Sequence, residues 1–206
     1  SSDLLARELN YIYVDTGAMY RAMALYMIEH KIDVSHLDEV GSACDAITID
    51  IQYSAGEQQV ILNGKNVNDF IRTETVSEMS SKISAIPEVR EKLLSLQRSL
   101  AAAENVIMDG RDIGTHVLPN ADVKIFLTAD AHVRAVRRYE EFIAKGVSCT
   151  LENVEREVIE RDERDMNRAI APLKQAEDAV RVDTSAMTIE EVVCYLKNLI
   201  GQAVAR

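Results

Sequence analysis

Tyr11-Ile12-Tyr13-Val14-Asp15-Thr16-Gly17-Ala18-Met19-Tyr20-Arg21 holds two periodicities in one run. Its first residues, 11–14, read as a short apolar strand that ends at Asp15. From there Ala18, Ala22 and Leu25, together with Met19, Met23 and Tyr26, recur at helical spacing to about His30. A strand that runs directly into a helix is the first half of a crossover unit. It predicts that the next strand of the sheet lies parallel to this one.

The same alternation continues along the chain. A helix from Pro87 to about Ala103 leads into residues 105–108, a short apolar strand that ends at Asp109. Residues 123–127 form a third strand with a helix after it, and residues 179–182 a weaker fourth. The last helix opens at Thr188 with Glu191 three residues on, the pattern of a capping box. Strands joined by helices of this length require crossovers. The fold class is therefore α/β, a mostly parallel sheet with helices on both faces.

Two stretches break that rhythm. Ile47, Ile49, Ile51 and Tyr53 alternate with Thr48, Asp50 and Gln52, and a second apolar run, residues 59–62, follows the turn Ser54-Ala55-Gly56. This period of two predicts a small, half-exposed antiparallel hairpin, inserted on the parallel core and extending through a polar helix around residues 77–84. The other stretch, residues 150 to about 176, is a highly charged helix and a loop around Pro172. It has too few apolar residues to be central and reads as a flap.

The chain has 206 residues, 47% of them hydrophobic, which suits one domain with an insertion and supplies a substantial core. With Lys+Arg 23 against Asp+Glu 34, the net charge of −11 opposes nonspecific binding to nucleic acid or anionic membranes. Cys44, Cys149 and Cys194 lie far apart and are odd in number, so neither a disulfide framework nor a zinc ribbon is indicated. A reducing cytoplasm fits. No apolar run approaches the roughly 18 residues of a membrane helix, and no signal peptide opens the sequence. The expectation is a cytoplasmic monomer. His30, His36, His116 and His132 are scattered and read as structural. Within the acidic total, 15 Arg outnumber 8 Lys, and several fall in clusters. Arg is the planar bidentate donor for phosphate, so one focused site for a small phosphorylated ligand is expected.

In open parallel sheets, ligands bind beyond the carboxyl ends of the strands. That rule selects residues 15–21, where a hydroxyl, a glycine and a helix N-terminus precede Arg21. It also selects Asp109-Gly110-Arg111-Asp112-Ile113-Gly114-Thr115, an Arg-Asp pair between glycines. Taken alone, each loop is also compatible with an ordinary Asx or glycine turn. The flap adds Arg161, Arg164 and Arg168 at i, i+3 and i+7, one stripe of a helix, with Asp165 four residues after Arg161. Arg134, Arg137 and Arg138 form a parallel set on the helix after the third strand. Glu157, Glu160, Asp162 and Glu163 leave a salt-bridged surface helix as the other reading of the flap, and the two strand-end loops tilt the balance towards an anion site.

Residues 11–21, Pro87-Glu88-Val89-Arg90, Asp109 to Gly114 and Arg161-Asp162-Glu163-Arg164-Asp165-Met166-Asn167-Arg168 together resemble bacterial cytidylate kinases in order and spacing, nearly end to end. The resemblance implies a P-loop kinase-like parallel sheet flanked by helices, with a small antiparallel CMP-binding insertion and a helical lid. It divides the chain into a core of residues 1–43, 87–149 and 177–206, an insertion of 44–86 and a lid of 150–176. The implied activity is transfer of the terminal phosphoryl group of ATP to CMP or dCMP, giving CDP or dCDP in pyrimidine nucleotide metabolism, with Mg²⁺ accompanying ATP.

By the same resemblance, Ser81, Arg90 and Asp112 face the cytosine, while Arg21, Arg111 and Arg168 hold phosphate. Arg161 and Asp165 approach the acceptor nucleotide, Asp165 at its ribose hydroxyls. Thr16 and Tyr20 are polar and packing members of the pocket, and Arg137 is the lid-side partner of the transferring phosphoryl. The chemistry suits the base, because a carboxylate accepts from an exocyclic amine while Arg and a hydroxyl address the other polar atoms. Phosphoryl transfer depends mainly on alignment and charge neutralisation, so no general base is required.

One feature of the family is missing from these 206 residues, a loop of the form G-x-x-x-x-G-K-[ST]. The nearest lookalike, Gly56 to Gly64-Lys65-Asn66, has the wrong spacing. The expectation is that such a loop lies upstream of Asp3 and supplies the N–H cradle and Lys for ATP and a hydroxyl for Mg²⁺. The alternatives are a related kinase for UMP, AMP or a small metabolite, and a nucleotide-binding module without catalysis.

Overall fold

The computed structural model describes residues 1–54 and 57–204. It contains two compact units, residues 2–113 and residues 114 onward together with Ser1.

The first unit runs α1 (Ser2–Leu9), β1 (Ile12–Asp15), α2 (Thr16–Glu29), α3 (Leu37–Ala46), β2 (Ile49–Ser54), β3 (Glu57–Leu62), β4 (Lys65–Asn66), α4 (Glu74–Ile83), α5 (Pro87–Ala103) and β5 (Val106–Asp109). Strands β1 and β5 pair in parallel from Ile12↔Val106 to Asp15↔Asp109, so two carboxylates end the pair side by side. Helix α2 is the hub. Its buried Ala18, Met19, Ala22, Met23, Leu25 and Met27 cover more than one face, as expected of a helix enclosed by its neighbours. It packs against α3, α4, α5, β3 and β5.

The insertion hairpin forms as the alternation predicts, with β2 and β3 antiparallel from Ile49↔Leu62 to Ser54↔Glu57. Ile51, Val60 and Leu62 join the core while Asp50 and Gln52 are exposed. Of the expected turn Ser54-Ala55-Gly56, Ala55 and Gly56 lie outside the described residues. A third strand, β4, is added by the turn at Asn63 and Gly64, whose φ values of 47° and 80° are both left-handed. Two such residues in succession make the tight hairpin turn that matches strand twist.

The second unit holds β6 (Ile125–Thr128), α6 (Ala131–Ala144), α7 (Leu151–Asn167), β7 (Val180–Asp183) and α8 (Ile189–Val204). Strands β6 and β7 pair in parallel from Ile125↔Val180 to Thr128↔Asp183. The architecture is mixed α/β, with parallel strands flanked by helices and a three-stranded antiparallel sheet. Among the described residues the four parallel strands pair two by two, β1 with β5 and β6 with β7. The capping box is reciprocal: the Thr188 N–H donates to Glu191 at 2.8 Å, and the Glu191 N–H to the Thr188 hydroxyl at 3.2 Å.

Helices α6 and α7 pack on a small seam of Ala135, Val154 and Val158, edged by Tyr139, Phe142 and Leu151. The expected Arg stripe on α7 is altered. The helix ends at Asn167, Arg168 is its extended C-cap (φ −64°, ψ 142°), and the chain turns back so that the Leu173 N–H donates to the Asp165 carbonyl at 2.8 Å. Arg164 is exposed and Asp165 buried. Among the described residues no helix is long and apolar enough to cross a membrane.

Candidate active site

Asp15 closes β1 and caps α2. One carboxylate oxygen accepts the Ala18 N–H at 3.1 Å, and the other takes Arg21 Nη2 at 2.8 Å. Arg72, from the loop before α4, stands 3.6 Å from that second oxygen. Gln58 on β3 fixes the Asp15 backbone, accepting its N–H at 2.8 Å and donating to its carbonyl at 3.3 Å. A Cβ on Gly17 would stand 3.0 Å from Asp15 Oδ1 and 3.1 Å from Arg21 Nη1, so glycine leaves the ion pair room. Burial pushes the Arg21 guanidinium below its ordinary pKa; the Asp15 carboxylate opposes that shift and the Arg72 charge adds to it. Arg21 Nε is buried with no partner among the described residues. A buried N–H without an acceptor costs free energy, and an entering anion removes that cost.

Thr16 donates its hydroxyl to the Asp109 carbonyl at 2.6 Å and so joins the two strand-end loops. The join requires Gly110, where a Cβ would lie 2.6 Å from Ile113 Cδ1 and 2.7 Å from Thr16 Oγ1. The Tyr13 hydroxyl donates to the Asp109 carboxylate at 3.0 Å. Burial raises the Asp109 carboxyl above its ordinary value against the lowering effect of the Ser2 and Tyr13 hydroxyls. The Tyr13 phenol is pushed up by burial and by the Asp109 and Asp15 charges, and so stays neutral.

Two sequence-selected residues, Arg90 and Asp112, meet at the start of α5, and Ser84 links them to the backbone of a third, Ser81. Arg90 Nη2 pairs with Asp112 Oδ2, and the two side chains are only 7% and 8% exposed. Arg90 Nη1 donates to the Ser84 carbonyl at 3.1 Å, and the Ser84 hydroxyl to the Ser81 carbonyl at 2.8 Å. This chain of contacts ties the C-terminal turn of α4 to the Arg-Asp pair. Arg90 Nε is buried with no hydrogen-bond partner among the described residues, and Ser81 lies half-buried on α4 with its hydroxyl as a further donor. Donors and an acceptor therefore stand side by side, as recognition of a heterocyclic edge requires. Arg111 is exposed in the loop after β5, and Tyr20 packs against the core.

In the second unit, Arg168 Nε donates to the Ala171 carbonyl at 2.7 Å, and Nη1 stands 4.0 Å from Asp165 Oδ1; both side chains are 8% exposed. Arg161 is half-buried on α7. Arg137 Nη2 donates to the Thr184 and Met187 carbonyls at 2.8 and 3.1 Å and so grips the loop after β7. Arg134 joins the Ala129 carbonyl, after β6, to Asp162 on α7 at 3.0 and 2.6 Å. The structure thus unites Arg90 with Asp112, Thr16 with the Asp109 backbone, and Asp165 with Arg168. Sequence reasoning missed Arg72 and Gln58, which carry no local pattern and reach Asp15 only through the insertion.

A family model for cytidylate kinase matches residues 2–202. A cytidylate kinase of Carboxydothermus hydrogenoformans is 48% identical over 201 residues, 97% of this chain and 90% of that protein. One from Lactobacillus johnsonii is 45% identical over 197 residues, 96% of this chain and 86% of its own length. One from Bacillus cytotoxicus is 42% identical over 203 residues, 98% and 90% of the two chains. A match at this identity, sustained from the first helix to the last, makes the chain a member of the cytidylate kinase family.

Proposed function

We propose that the protein moves the terminal phosphoryl group of ATP to CMP or dCMP, giving CDP or dCDP. The observation that carries the base assignment is the buried Arg90–Asp112 pair. Such a pair contributes little net stability, because desolvation offsets its attraction, which favours a recognition role over a purely structural one. The Asp112 carboxylate accepts from the cytosine amine, while Arg90 and the Ser81 hydroxyl donate to the ring nitrogen and carbonyl. Uracil presents a carbonyl where cytosine has its amine and would set two acceptors against each other.

By the family reading, Arg21 and Arg111 neutralise acceptor phosphate, with Thr16 and Tyr20 framing the loop. Arg161 and Asp165 address the acceptor nucleotide, Arg168 its phosphate, and Arg137 the transferring group. Residues 44–86 serve as the acceptor insertion, 150–176 as the lid, and the remainder as the core. Neutralising charge over the phosphoryl oxygens and holding the two oxygens in line is the whole task, so no residue has to remove a proton in advance.

Among the described residues no group of three or more His, Cys, Asp or Glu side chains is arranged to hold a metal ion. The described residues thus do not build a Mg²⁺ cage of their own. Mg²⁺ commonly arrives on substrate phosphates with most of its waters retained, which suits an ion carried by ATP. The free thiols Cys44, Cys149 and Cys194 support a reducing, cytoplasmic setting.

A coupled assay of nucleoside diphosphate formation with CMP, dCMP, UMP and AMP tests the reading. CMP and dCMP should turn over, with kcat/KM for UMP and AMP lower by at least about tenfold, the effect of about 1.4 kcal/mol. Equal rates with UMP would remove the base assignment, and no ATP consumption with any acceptor would remove the kinase assignment.

A further inference from the structure

Asp15 faces two guanidiniums with one carboxylate. Arg21 holds Oδ2 at 2.8 Å with its side chain 16% exposed, whereas Arg72 stands 3.6 Å from the same oxygen and is 69% exposed. The first is a hydrogen-bonded pair fixed in the protein. The second is beyond hydrogen-bond length and is held by charge alone. Both cations address the same Asp15 oxygen, and the neighbouring Asp109 carboxylate at the end of β5 is bonded to Tyr13 instead. The Arg72 charge also disfavours protonation of Arg21, which is the mark of repulsion between the two.

We propose that Arg72 is a swinging phosphate-binding arm of the acceptor site, with Asp15 its resting partner. When the phosphate monoester of the acceptor nucleotide enters, the Arg72 guanidinium leaves Asp15 for the phosphate oxygens while Arg21 remains in place. Its departure leaves Asp15 still paired, to Arg21 and to the Ala18 N–H. The incoming dianion relieves the repulsion between the two cations, so the exchange favours the phosphorylated ligand over the bare nucleoside. Arg72 also immediately precedes Thr73, whose hydroxyl caps α4, the helix that carries Ser81. One short segment thus bears both the arm for the phosphate and part of the surface that reads the base. The inference rests on the acceptor being a nucleoside monophosphate, as proposed above.

Calorimetric titration of the full-length protein and its Arg72→Ala and Arg72→Lys variants with CMP, cytidine and inorganic phosphate tests it. Arg72→Ala should raise the Kd for CMP at least about tenfold, or about 1.4 kcal/mol, and leave that for cytidine within about twofold. Arg72→Lys should recover part of the loss, because it restores the charge without the bidentate fork. Inorganic phosphate should weaken in step with CMP. The melting temperature without ligand should stay within about 2 °C, as suits an exposed ion pair. A CMP Kd within about twofold of the unaltered protein, or an equal loss for cytidine, would overturn the proposal alone. Failure of the unaltered protein to bind CMP would overturn the acceptor reading beneath it.

Discussion

Helices α2 and α7 show two ways of holding a helix in one chain. α2 buries eight of its 14 residues, from Thr16 to Met27, and is packed by helices and strands on several sides. α7 buries three of its 17, Val154, Val158 and Asp165, and rests on α6 along one apolar seam. Around that seam the ties are polar: Arg134 pairs with Asp162, and the His132 ring is hydrogen-bonded to Glu155. Apolar enclosure fixes the frame behind the strand-end loops, whereas a single seam with polar ties leaves α7 among the elements that open at low free-energy cost. A lid has to come from that class.

The comparison is tested most severely at the buried end. Asp112→Ala should cost about 3–5 kcal/mol in chemical denaturation, because it leaves the Arg90 charge buried and uncompensated. Asp112→Asn is therefore the better variant for comparing CMP with UMP, since it keeps the shape and an acceptor. Next, Met23→Ala, at a fully buried position of α2, should cost about 2–5 kcal/mol, while Val158→Ala on α7 should cost clearly less. Similar losses at the two sites would erase the distinction between the two helices.

Arg168 sharpens it. The stripe on the sequence suggests an exposed residue whose removal leaves stability unchanged, yet its guanidinium is nine-tenths buried and bonded to the Ala171 carbonyl. Arg168→Ala should therefore lower stability by about 1–3 kcal/mol besides reducing turnover, and a thermal melt unchanged by the substitution would contradict the structure. Asp162→Asn, which breaks the partly exposed tie to Arg134, should cost less than about 1 kcal/mol, and less still at high salt.

The smallest effect is a slope with pH. The Asp109 carboxyl is raised by burial above its ordinary value of 3.8, so the folded state holds that proton more tightly than the unfolded chain does. Its contribution is full below that ordinary value and is lost as pH rises through the raised one. Unfolding midpoints of Asp109→Asn should accordingly gain on those of the unaltered protein across that window. A constant difference between the two would remove Asp109 from the pH dependence.

Much of the frame was legible because it is written locally. Pro87 marks the start of α5, and Thr188 with Glu191 the start of α8, each through its own backbone geometry. The run from Tyr11 to Arg21 discloses β1 and α2 by a change of period. What escaped depends on distance or on one turn. Asn63-Gly64 is a hairpin signal in plain view, but β4 beyond it has two residues, too few to show any period. The stripe reading carried α7 one residue too far, since no glycine or proline marks the break after Asn167 and the turn at Ala171 supplies it. Arg72 reaches Asp15 across 57 positions of sequence through the fold of the insertion, and no local pattern singles it out.

The Arg90–Asp112 pair also constrains how such a chain can change over generations. The partners lie 22 positions apart and are inherited as separate mutational targets. Altering either one first leaves a buried charge alone, at about 3–5 kcal/mol, against total stabilities of about 5–15 kcal/mol for ordinary domains. A lineage drifting towards another base one step at a time gives up a large share of its stability at that step, and at the low end of the range nearly all of it. Ser81 offers a lower-cost path, because its side chain is half-buried and uncharged, so replacing it strands no buried charge. Broadened substrate choice should therefore arise first at the rim of the pocket, with the buried pair the last part to yield.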